Sequence, residues 1–200
     1  MSGAEDLVWL SEGHALLAPT DDLAVARAVL APFDDDRGHR YRALIDSHAD
    51  AALRTCRPGH LTGSALVVDR AGVNTLLLLH AKLGRWLQPG GHADGDANLA
   101  AVALREATEE TGIDGLRIWP RPLHLDIHEV DPPHEDRHLH YDVRFLVQAP
   151  AGAAPRGNHE SRGLRWVPLG GVADFGCDPG LIHLAELGAE TLDTMSHPSP

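Results

Sequence analysis

A loop rich in glycine and aspartate that runs straight into an acidic helical segment most limits what this chain can become. The stretch occupies residues 91–113, opened by the turn Pro89-Gly90-Gly91 and closed by Gly112. In its helical half, Glu106, Glu109 and Glu110 stand at i, i+3 and i+4, so all three project from one face, one turn apart. Like charges so spaced repel by about a few tenths of a kcal/mol per pair. A helix that needed only solvation would more often interleave lysine there. A divalent cation turns the repulsion into ligation, because hard cations such as Mg²⁺ take carboxylate oxygens and keep waters that a phosphate can displace. Acidic faces are also common as plain solvated surface, and three glutamates alone favour that reading. The context shifts the balance.

The stretch resembles the Nudix hydrolase signature: Gly, five residues, Glu, seven residues, Arg-Glu, an apolar residue, any, Glu-Glu, any, Gly, apolar. Gly91, Arg105, Glu106, Ala107, Glu109, Glu110, Gly112 and Ile113 match it, and one position departs, since the early glutamate falls on Ala97. The resemblance covers about residues 61–170 as a domain, with the specific motif confined to 91–113. It implies an α/β/α sandwich and hydrolysis of a nucleoside diphosphate linked to another group, or a related pyrophosphate, with Mg²⁺ or Mn²⁺. Glu106, Glu109 and Glu110 are then the metal ligands, and Arg105 orients them, reaching Glu109 at i+4. Gly91 permits a backbone conformation closed to other residues. Asp96, one residue before the departure, is no automatic substitute, because one residue rotates a helical side chain by about 100°. The resemblance further implies a glutamate from a later strand or loop that completes the site. Glu160, ahead of Arg165-Trp166-Val167-Pro168, is the candidate general base, with an exposed loop glutamate as the plain alternative.

Composition bounds the partners. A formal charge of −12 argues against broad binding to a nucleic-acid polymer or an anionic membrane, both of which need a basic patch. A small phosphorylated substrate stays open if a metal neutralises it locally. Lys82 is the only lysine. Cys56 and Cys177 lie far apart without metal spacing, and neither a signal peptide nor a membrane span is read, so a cytoplasmic location is the expectation.

Along the chain, three parts are expected: an N-terminal helical extension over 1–60, a catalytic domain over 61–170, and a C-terminal helix with a loose tail over 171–200. In the first, Thr20 or Asp21 caps a helix through Leu30, the Asp34-Asp35-Asp36 run is a solvated loop, and a second helix covers Arg40 to Arg54. This part is too short for its own core, so it packs on the main domain or serves as an oligomer contact, a homodimer being one option. Strands are expected over 63–69, 73–80, 115–119, 123–130, 138–149 and 160–167, with Asp131-Pro132-Pro133 starting a connection. The signature helix runs from about Asp96, its N-cap, to Thr111, with Gly112 at the left-handed C′ position. Its small face, Ala100, Ala103, Leu104 and Ala107, lets it approach a sheet closely. A last helix covers about 179–189. Strands mixed with a central helix and flanking helices point to an α/β layered domain with a mixed sheet.

The histidines are unusual. His124, Asp126 and His128 alternate on one strand, and His138, His140 and Asp142 on the next, so a hairpin brings the two trios together on one face. Three uses stay open: a second metal site for Zn²⁺, Mn²⁺ or Ni²⁺, a substrate-pocket wall in which His138 and His140 contact phosphate, or a polar sheet face. Trp86 and Arg85 precede the turn; Arg85 can contact phosphate, while Trp86 more often anchors a core. Tyr141 and Phe145 lie opposite the second trio and read as core. Two rivals to hydrolysis remain: a non-catalytic nucleotide-binding module on the same fold, suggested by Ala97, and an allylic diphosphate isomerase, for which neither cysteine is well placed.

Overall fold

The computed structural model describes residues 8–131 and 136–197. Strand β2 (Gly59–Val68) is buried along its whole length, as the apolar run through Val68 requires of a strand covered on both faces. It pairs in parallel with β7 (His138–Gln148), from Gly59 opposite Leu139 to Val68 opposite Gln148. On its other side it meets β3 (Asn74–His80) and the short β5 (Gly90–His92), both antiparallel. Outward from β7 lie β6 (Arg117–Val130) and β1 (Leu10–Ser11); outward from β3 lie β4 (Trp86–Leu87) and β8 (Ser161–Pro168).

Alternation along β2 decides which layer each residue joins. Leu61, Ala65 and Val67 enter one core with Tyr141, Val143 and Phe145. Helices α1 (Leu23–Val29), α2 (Asp36–Ser47) and α3 (Leu99–Thr111) cover that face through Ala26, Leu30, Tyr41, Leu44, Val102 and Ala103. Leu66 and Val68 point the other way, to Leu181, Leu184 and Ala185 of α4 (Pro179–Ser196). Helices on both faces of a mixed sheet make an α/β/α sandwich.

Several expected boundaries move, each for a physical reason. The N-terminal segment is not helical throughout: Leu10 and Ser11 pair with Ile118 and Arg117 as an edge strand. Helix α1 is capped by Asp22, whose carboxylate accepts from Ala24 N at 2.9 Å. Helix α2 starts and ends earlier than Arg40–Arg54, because the aspartate run supplies its cap: Asp35 Oδ1 accepts from Gly38 N at 2.8 Å. Strand β2 begins before Gly63, since β7 offers a parallel partner as far back as Gly59. The strands expected over 115–119 and 123–130 are one strand, β6, with register shifts around Pro122, where a proline without an N–H is tolerated. Helix α4 continues past Ala189 to Ser196. The connection through Pro132 and Pro133 and the tail with Pro198 and Pro200 lie outside the described residues.

Tyr41 ties the N-terminal segment to the sheet. Its fully buried hydroxyl lies 2.7 Å from Asp142 O and 2.8 Å from Asp126 O, and accepts from Asp126 N at 3.1 Å. No helix among the described residues is long and apolar enough to cross a membrane.

Candidate active site

Helix α3 begins one turn after β5 and lies across it, which brings the glutamate face to the Gly90-Gly91 backbone. The cap expected at Asp96 falls instead at Asn98, whose side chain accepts from Ala101 N at 3.3 Å. Asp96 is otherwise engaged: its Oδ1 accepts from Thr20 N at 3.1 Å and Asn98 N at 2.9 Å, and its Oδ2 lies 3.7 Å from Arg105. At the far end Gly112 ends the helix with φ +60°, the left-handed C-cap the sequence predicts.

Three of the four candidate carboxylates, Glu106, Glu109 and Glu160, line one open cleft of about 560 Å³, with Arg105, Arg54 and Asn158 among the other walls. Glu110 is buried beside it, 6 % exposed, and its Oε2 accepts from Gly90 N at 2.9 Å. Burial pushes the Glu110 carboxyl up to about 8; the Gly90 N–H opposes this, while the charges of Glu160 and Glu106 add to it. Burial also raises Glu106, against the pull of Arg105 and with the push of Glu109 and Glu160. Two buried carboxyls, Glu106 and Glu110, raised by burial and by neighbouring glutamates, are poised to gain from any positive charge placed among them.

Arg105 does not reach Glu109. Its guanidinium donates to Glu106 Oε1 at 3.1 Å and to His92 O at 3.4 Å. Helical side chains lean toward the N-terminus, which carries Arg105 back over the loop rather than forward one turn. It thereby links Glu106, Asp96 and β5.

Gly91 does not hold the special backbone conformation expected of it, since its φ is not positive; it is required instead by close approach. A Cβ there would sit 2.2 Å from Glu106 Oε2 and 3.1 Å from its Cγ, so the whole glutamate would have to move. Gly91→Ala should leave the melting temperature nearly unchanged. Turnover should fall about 10²-fold, the usual effect of displacing a working group by about 1 Å. An unaltered kcat/KM would show that Glu106 does not need its present position.

On the opposite sheet face the two histidine trios do meet, with Asp126 opposite Asp142 and His128 opposite His140. Their aspartates, however, are taken up by Arg144, which donates to Asp142 and Asp126 at 2.8 Å each. Asp142 also accepts from Thr62 and Ser64. His138 and His140 are gathered instead with His60 of β2. Cys56 and Cys177 are both free and buried, and burial pushes each thiol up.

Comparison with known proteins places this arrangement. The NUDIX domain family model matches residues 60–182. The chain belongs to the Nudix family. A Mycobacterium tuberculosis relative named "Putative 8-oxo-dGTP diphosphatase 3" is 34 % identical over 120 residues, which are 54 % of this chain and 51 % of that protein. The chain thus spans about half the length of the curated relatives it matches. Among solved structures, the Caenorhabditis elegans Ap4A hydrolase binary complex aligns at a TM-score of 0.54 and 18 % identity, over 66 % of this chain and 97 % of that one. The Escherichia coli dihydroneopterin triphosphate pyrophosphohydrolase aligns at 0.53 and 17 %, over 68 % and 97 %. The Nudix domain of Shewanella oneidensis NrtR complexed with ADP ribose aligns at 0.50 and 20 %, over 70 % and 92 %. At these identities the structural matches establish the Nudix fold.

Within the Nudix domain, Ala97 is fully buried, and its N–H donates to Thr20 O at 2.6 Å. The N-terminal segment therefore occupies the side of the loop where the signature carries its early glutamate. Arg85 is exposed on the turn before β4, outside the residues lining the cleft. Arg54 and Asp94, paired at 2.6 and 2.8 Å on the cleft wall, escaped the sequence reading. Asp94 belongs to the signature loop and has φ +50°, but nothing local marks Arg54, which arrives from a turn 40 residues upstream.

Proposed function

We propose that this Nudix chain hydrolyses a diphosphate linkage in a small phosphorylated compound, a nucleoside diphosphate joined to another group or a close relative, with Mg²⁺ or Mn²⁺. The observation that carries this reading is the convergence of Glu106, Glu109 and Glu110 of α3 with Glu160, from a segment 50 residues later, around one cleft. The donor set fits a hard cation: all oxygen, one carboxyl buried and raised, two more beside it. Glu106, Glu109 and Glu110 would hold the ion, which when bound supplies charge neutralisation and a more acidic bound water.

The chain's own residues have distinct roles around it. Gly90 N–H and the Arg105 guanidinium fix the orientations of Glu110 and Glu106. Glu160, with a half-exposed side chain beside Glu110, would accept a proton from the attacking water, help worth about 10²- to 10⁴-fold in rate. Arg54 lines the same cleft but is bonded to Asp94, so it offers the phosphates guanidinium charge only as part of that pair. The matched proteins, one named "Putative 8-oxo-dGTP diphosphatase 3", an Ap4A hydrolase and a domain complexed with ADP ribose, support a small nucleotide substrate. The charge of −12 supports no nucleic-acid polymer.

The buried alanine at position 97 favours one second reading, a nucleotide-binding module without turnover. A panel of nucleoside diphosphate conjugates, dinucleoside polyphosphates and nucleoside triphosphates, assayed with each ion for phosphate release and product masses, separates the two. Release with at least one compound, lost in Glu109→Gln, is expected. No release from any compound with either ion would leave the binding module.

A further inference from the structure

Three imidazoles meet at one end of the sheet, on the face away from α3. His138 and His140 stand two apart on β7, and His60 lies opposite His140 in the parallel register with β2. Period-two spacing and direct pairing put all three on one face. Their ring centroids are 4.9 to 5.3 Å apart, and one nitrogen from each lies within 4.8 Å of the others. His60 is fully buried and His138 is 4 % exposed.

We propose that His60, His138 and His140 form a Zn²⁺ site distinct from the glutamate cluster. Both ring nitrogens of His60, and Nε2 of His138, are buried without a hydrogen-bond partner among the described residues. A buried polar atom left unsatisfied is destabilising, so three at one point call for a ligand. The other nitrogen of His138 makes the contact that ligating histidines make: Nδ1 lies 2.7 Å from Asp136 O. Donation there fixes the tautomer and aims the Nε2 lone pair inward. The donors are all nitrogen, which suits Zn²⁺ and does not suit Mg²⁺ or Ca²⁺. Tetrahedral zinc at about 2.0–2.1 Å from nitrogen needs donor atoms about 3.3 Å apart, so modest ring rotations close the set.

The polar neighbours do not compete for these nitrogens. Asp142 is bonded to Thr62, Ser64 and Arg144, and Asp126 to His128 and Arg144. His92 and His128 flank the set, with rings 5.0 and 5.5 Å from that of His140. Three histidines leave a fourth position for water or an anionic group. The site lies beside β5, where His92 follows Gly91, so bound zinc would stiffen the strand against which Glu106 packs.

Protein carrying no histidine tag, equilibrated with Zn²⁺ and then gel-filtered in excess Mg²⁺, should retain about one zinc per chain by elemental analysis. His138→Gln and His140→Gln should lose it, whereas the double variant Glu109→Gln/Glu110→Gln should keep it. Metal content is read without any substrate, so the outcome is independent of whether the chain is a hydrolase. Wild type that retains no zinc, or histidine variants that retain it fully, would overturn the site. Should those variants fail to fold, Co²⁺ added to wild type in excess Mg²⁺ decides. The intense visible absorption of four-coordinate cobalt is expected, and a weak six-coordinate spectrum would refute it.

Discussion

Glu110→Gln should lower divalent-dependent turnover by about 10³-fold or more while the protein stays folded. Within the proposed ligand set, the buried carboxylate is the one least able to be replaced by solvent, since only 6 % of the residue is exposed. Removing several kcal/mol of charge stabilisation at about 1.4 kcal/mol per decade gives that magnitude. The fold survives because a glutamine oxygen can still accept from Gly90 N, and the amide no longer carries a charge into a buried place. Steady-state rates over a range of Mg²⁺ and Mn²⁺ concentrations, beside a thermal melt, are the measurement. A variant within tenfold of wild type at saturating cation would remove Glu110 from the ligand set. Loss of activity together with a collapsed melt would make its role structural.

Without divalent cation, wild type should lose stability as pH rises from about 5 to about 8. The folded carboxyl of Glu110 titrates near 8, against an ordinary 4.5 in the unfolded chain. Between these values the unfolded state releases the proton and the folded state keeps it, so the folded state binds more protons and stability falls with pH. Below the window both forms are neutral, and above it both are charged, with the loss complete. At about 1.4 kcal/mol per pH unit the loss reaches a few kcal/mol, or roughly 10 °C in melting temperature for a chain of this size. Mg²⁺ should therefore raise the melting temperature more at about pH 8.5 than at about pH 5.5, because it binds the ionised cluster. Glu110→Gln should flatten both the pH dependence and the cation effect. Parallel pH curves for wild type and variant would mean that Glu110 is not the group responsible.

The glutamate face was legible because its information is local. Glu106, Glu109 and Glu110 share a face by helical geometry alone, and Gly112 marks the helix end wherever the helix packs. The buried character of β2 and the inward Tyr141 and Phe145 were legible for the same reason, since alternation and apolar runs survive any tertiary context. What misled was competition among equally good local partners. Asp96 is a fair N-cap, yet Thr20, from a segment 76 residues away, takes part of its carboxylate, and Asn98 caps the helix instead. The aspartate run looked like solvated loop until Asp35 proved to cap α2. Arg105 could equally have leaned toward Glu109, and only the position of β5 beneath the helix gives it His92 O, Asp96 and Glu106.

The order of residues by itself determined the glutamate face, the strand and helix periods, and the family signature, since each depends on spacings of a few residues along one element. Tertiary structure alone decided that Glu160 and Arg54 share the cleft. It alone buried Glu110 far enough to raise its carboxyl, and set His60 against His138 and His140. Those outcomes rest on pairing between segments some 50 to 80 residues apart in the chain. No local propensity encodes such pairing, because its free energy comes from burying both partners together.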